Sequence, residues 1–115
     1  MRNFKDFDVG ETLFRHGDVH LKKTKNSIDQ KNTFPIAVSG LLHKGQNHHH
    51  MVNGSFYTRE EDGRKFLGII GQSILDHEEH GQISIDPAEI ESTELQVDIQ
   101  LEYDHFLEES RQVID

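Results

Sequence analysis

The chain of 115 residues contains no cysteine. That excludes disulfides, thiolate zinc sites and thiol nucleophiles together, so any metal must be held through nitrogen and oxygen. Long apolar runs are missing as well. No stretch reaches the length of a signal peptide or a membrane span, so no membrane association is expected and a cytoplasmic location is the default. Hydrophobic residues make up only 33% of the sequence. A core this lean suits one small β-barrel or sandwich, and the length suits a single domain spanning residues 1–115. A homodimer is compatible with that leanness, because a partner would bury further apolar surface.

Basic charge is also scarce. The net charge is −9 with histidines neutral, which argues against tight non-specific DNA binding. The distribution is uneven: residues 76–115 hold most of the acids against a single base, Arg111. Lys22, Lys23, Lys25, Lys31 and Lys44 lie in the other half and leave room for a local basic rim. An anionic small molecule or an RNA end therefore remains a candidate partner.

What the chain does contain is alternation. Residues 1–12 mix aromatics with charges and read as an irregular arm. Leu13 to Leu21 reads as one strand, with Leu13, Val19 and Leu21 on its apolar side and His16, Asp18 and His20 on its polar side; Gly17 marks a bulge. Residues 22–33 are polar and turn-rich, hence a loop. Phe34 to Ser39 is a strand with Pro35 at its start. Asn53-Gly54 is the strongest hairpin signal, followed by strands at Phe56–Arg59 and Lys65–Ile70 around a turn at Glu61–Arg64. After Ile83–Ile85 comes a stop at Asp86-Pro87. Leu95 to Tyr103 then alternates most cleanly of all, and residues 106–115 form a tail. Roughly six to eight short strands separated by turns predict an all-β fold, a compact β-barrel or sandwich with little helix. The His48-x-His50 spacing on such a scaffold resembles the first motif of cupins, which implies a cupin-like architecture by analogy only.

Five of the nine histidines fall in two stretches, His48-His49-His50 and His77-Glu78-Glu79-His80. On a strand His48 and His50 share a face while His49 points away. Imidazoles two residues apart can reach one ion, and zinc, manganese, iron or nickel would each accept them. His77 and His80 add nitrogen ligands. Glu78 or Glu79, if not a ligand, can take a proton from a metal-activated water. His16 and Asp18 are candidates to orient the ligand imidazoles from outside. His43 and His105 read as lone surface histidines. The same histidines also suit a general acid and base pair that needs no metal.

The spaced motifs Arg15-x-Gly17-Asp18-Val19, His48-x-His50, His77-Glu78-Glu79-His80 with Ile83, and Glu102-Tyr103 resemble a family of small bacterial and phage proteins without an assigned activity. That resemblance implies that Asp18, the two histidine blocks and Tyr103 share one site, with Tyr103 as a further catalytic candidate. The expectation is a metal-dependent hydrolase of an anionic, nucleotide- or RNA-like substrate. Two alternatives are a metal-independent RNA-processing enzyme and a non-catalytic phage or bacterial accessory binding module.

Overall fold

The computed structural model describes residues 3–29, 33–44, 49–77 and 81–99. Most of these form antiparallel β-structure, in seven strands: β1 (Thr12–His16), β2 (Val19–Ser27), β3 (Ala37–Lys44), β4 (His49–Glu61), β5 (Arg64–His77), β6 (Gly81–Ile85) and β7 (Thr93–Ile99). The helical content among the described residues is two short 3-10 turns, Phe4–Asp6 and Pro87–Ile90. None is long and apolar enough to cross a membrane. The all-β expectation holds. The strands form one open sheet in the order β1-β2-β7-β5-β4-β3, with β6 also paired to β5.

Two long strands organise this sheet. The β4–β5 hairpin closes through Asp62-Gly63, both at positive φ (54° and 77°), the conformation that a tight two-residue hairpin requires. From Asn53 to Phe56 β4 advances three residues while β5, from Ile74 to Ile69, covers five. The extra residues bulge β5 and bend it. Its first part then pairs with β7 (Lys65–Leu67) and its last part with β6 (Ser73–His77). The sheet thus splits into two halves that share β4 and β5. Val52, Ile69, Leu75 and Ile85 pack between them with Val19, Leu21, Leu95 and Val97 in one core. Lys65 Nζ donates to the Leu42 carbonyl at 2.9 Å, linking β5 to β3 across the fold.

Asn53-Gly54 is therefore not a hairpin, contrary to its dipeptide signal. It lies within β4, where a side chain at Gly54 would stand 2.4 Å from Ser73 Oγ and 2.6 Å from the Gln72 carbonyl. The glycine permits a close strand approach and not a reversal. Ser73 Oγ accepts from the Ser55 N–H and donates to the Gly71 carbonyl, serving backbone groups that the bulges leave over.

Residues 13–21 are likewise two strands and not one. Gly17, at φ 62°, and Asp18 form the turn between β1 and β2, with His16 opposite Val19 and Arg15 opposite His20. Directly opposed residues share a face, so His16 joins the buried side with Val19, while His20 lies on the other face and contacts Thr12 Oγ1 at 3.3 Å. The polar stretch that reads as a loop from residue 22 continues as β2 to Ser27, paired with β7. Its Lys23 Nζ donates to the Phe4 and Phe7 carbonyls, tying down the N-terminal arm.

Candidate functional site

The hairpin tip of β1–β2 meets the ends of β4, β5 and β6, and three histidines converge there. His16 ends β1, His50 is the second residue of β4 and His77 ends β5. They are 2%, 3% and 7% exposed. Ring centroids are 5.0 Å apart for His16–His50, 4.3 Å for His50–His77 and 5.9 Å for His16–His77. His43, the cross-strand partner of His50, extends the group with a centroid 5.7 Å from His50. It is half-buried and belongs to the cluster, so its reading as a lone surface residue is corrected. Which residue stands opposite His50 depends on strand register, and the bulge between Leu41 and His43 leaves no trace in a composition or period argument.

The hydrogen bonds narrow the proton arrangement to two solutions. His16 Nε2 lies 2.8 Å from the Gly81 carbonyl, which can only accept, so Nε2 carries a hydrogen. His16 Nδ1 lies 3.0 Å from His50 Nδ1. With a neutral His16, its Nδ1 is the acceptor and His50 donates. The other solution is a doubly protonated His16 that donates from both nitrogens. Either way a single hydrogen bridges the two rings.

Of the residues singled out from sequence, His16, His50 and His77 come together. His49 is exposed, on the face opposite His50, as strand alternation requires. Asp18 occupies the β1–β2 turn, and among the described residues it makes no hydrogen bond to an imidazole. The turn takes it off the strand face that it was expected to share with His16. His48, Glu78, Glu79, His80 and Tyr103 lie outside the described residues. Among the described residues no group of three or more His, Asp or Glu side chains is arranged to hold a metal ion unaided. Of the expected basic rim, Lys22 pairs with Asp98 at 2.6 Å and Lys23 is spent on the arm.

A second buried polar cluster escapes sequence reasoning altogether. Glu94, at the start of β7, is 2% exposed. Its Oε2 accepts from the Tyr57 hydroxyl at 2.5 Å and from Arg59 Nε at 2.8 Å, and its Oε1 accepts from Arg59 Nη2 at 2.7 Å. Burial by itself would raise the Glu94 carboxyl, but the hydrogen bonds from Arg59 and Tyr57 outweigh it and hold the group below its ordinary value. Burial and the bond to Glu94 push the Tyr57 hydroxyl well up. Phe34 stacks on Tyr57, and Phe66 lies under the Arg59 guanidinium at 4.3 Å. Both carboxylate oxygens of Glu94 are engaged by Tyr57 and Arg59, so the cluster braces β4 against β7.

No family model, curated protein or solved structure matches the chain, so the functional reading rests on the site alone.

Proposed function

We propose that the His16–His50–His77 cluster is the functional centre, that it takes a divalent metal ion (zinc, manganese, iron or nickel), and that the chain is a small metal-dependent hydrolase of an anionic substrate, nucleotide- or RNA-like. One observation carries this reading. The two Nδ1 atoms of His16 and His50 face each other at 3.0 Å while the Nε2 of His16 is given to a backbone carbonyl. Ligand nitrogens at about 2.0–2.1 Å from a shared ion stand roughly 3.0–3.4 Å apart. Donation of the remote ring N–H to a carbonyl is how ligand imidazoles are commonly oriented. His16 accordingly moves from an orienting role to a proposed ligand. The three described rings do not by themselves form a metal-holding set, so His48 or His80 would have to complete the coordination.

When bound, the ion would supply Lewis acidity and a water acidified toward neutral pH. The chain's own share is to present the imidazole lone pairs and to keep His16 in one tautomer through Gly81. His48 and His80 remain proposed as further ligands, Glu78 or Glu79 as the base, and Tyr103 as a further catalytic group. The test is hydrolysis of a chromogenic phosphodiester by the full chain with added metal. Turnover should vanish on chelation and in His50→Ala, and return with metal only in the parent.

The His16–His50 hydrogen bond itself favours a second reading, in which the two imidazoles pass a proton as acid and base without a metal. That version predicts turnover that survives chelation yet fails in His50→Ala. Histidine variants that lower stability, with no turnover in the parent under any condition, would instead favour a binding module.

A further inference from the structure

A cavity of about 430 Å³ opens between the end of β3 and the start of β5, lined among others by Leu42, His43, Arg64, Lys65, Asp98 and Ile99. It shares one residue with the histidine centre: His43, whose ring lies 5.7 Å from that of His50. His43 thus lines the cavity and neighbours His50 at the same time.

Its charge runs against that of the chain. Lys65 Nζ is held 2.9 Å from the Leu42 carbonyl, which fixes an ammonium one residue from His43. The Arg64 guanidinium, next to the β4–β5 turn, is exposed and among the described residues enters no ion pair. Among the described residues Asp98 is the only acid in the lining, and Lys22 pairs with it at 2.6 Å. Two cations and a histidine thus face a cavity in a protein of net charge −9. Arg64 and Lys65 bring positively charged donors to the lining, which suits an oxyanion.

We infer that this cavity binds the phosphate group of a phosphomonoester or phosphodiester, with Arg64 and Lys65 as its donors and His43 between it and His50. The inference deepens the hydrolase reading, since it rests on the histidine centre for any reaction and supplies the substrate class. Anion binding and metal uptake are nevertheless separate measurements.

The test is a titration of the full chain, stripped of metal by chelation and dialysis, with inorganic phosphate at constant ionic strength. Imidazole ¹H–¹⁵N resonances report the binding, and the His43 signal is assigned by its loss in His43→Gln. A saturable shift at His43 is expected, absent with chloride. Arg64→Gln should weaken the apparent affinity about five-fold or more, as for loss of one charge-assisted hydrogen bond, and Arg64→Lys should retain most of it. No saturable shift, an equal response to chloride, or an unchanged affinity in Arg64→Gln would overturn the inference. Metal uptake by the same samples separates the two ideas: uptake without phosphate binding removes the cavity, and phosphate binding without uptake removes the metal.

Discussion

His16 Nδ1 and His50 Nδ1 meet at 3.0 Å across 34 residues of chain, and that bond joins the β1–β2 hairpin tip to the first residues of β4. With the 2.8 Å bond to Gly81 it fastens the two halves of the sheet at one end. The proposed functional centre and a structural clasp are the same side chains.

His16→Ala should therefore destabilise the chain, since it strips partners from His50 and from the Gly81 carbonyl at a buried position. About 2–4 kcal/mol is expected from denaturant unfolding. Asp18→Ala, one turn position away, should cost about 0.5 kcal/mol or less. Equal losses in the two variants would mean that the clasp contributes nothing.

Gly54→Ala tests the strand-crossing at the bulges. A Cβ there would stand 2.6 Å from Ser73 Cα as well as against Ser73 Oγ, at φ 150°, so backbone must move. A loss on the order of 3 kcal/mol or failure to fold is expected. Gly63→Ala, with nothing within 4 Å of its Cβ, should cost only about 1 kcal/mol for its positive φ. A tolerant Gly54 and a sensitive Gly63 would reverse this account.

These positions also show what a linear reading can reach. Alternation in residues 95–99 and the Asp62-Gly63 turn disclosed strands and a reversal correctly, because both signals are local. Asn53-Gly54 carries the same local signal and means something else, since β5 packs against it from 18 residues away. The convergence of His50 and His77 was legible from their clustering beside strand segments. The presence of His43 and the separation of His16 from His20 were not, for each depends on register or on where one turn falls. Glu94 gave no sign at all. Its burial follows from Tyr57 and Arg59, which only the β4–β5–β7 pairing brings within reach.

The Glu94 cluster makes stability depend on pH in a definite direction. Its carboxyl titrates below the ordinary 4.5 in the folded state, so around that pH the unfolded chain binds more protons. The stability it contributes is complete above the ordinary value and lost as pH falls through the folded one. Glu94→Gln should cost on the order of 3 kcal/mol at pH 7, and its gap from the parent should narrow on acidification below about pH 4. Parallel curves from pH 7 to 2 would refute the assignment.

Tyr57→Phe keeps the stacking on Phe34 but removes a donor to Glu94 and the acceptor for the Asp29 N–H. Thermal unfolding should report a loss of about 1–3 kcal/mol. Little change would mean that water replaces the hydroxyl.

The most direct measurement is metal content of the untagged chain, by elemental analysis after purification without chelators and again after titration with zinc, manganese, iron and nickel. One ion per chain is predicted for the parent, with uptake lost in His50→Ala and His77→Ala. A parent that takes up none of the four, or histidine variants that bind as the parent does, would contradict the assignment of this cluster as a metal centre.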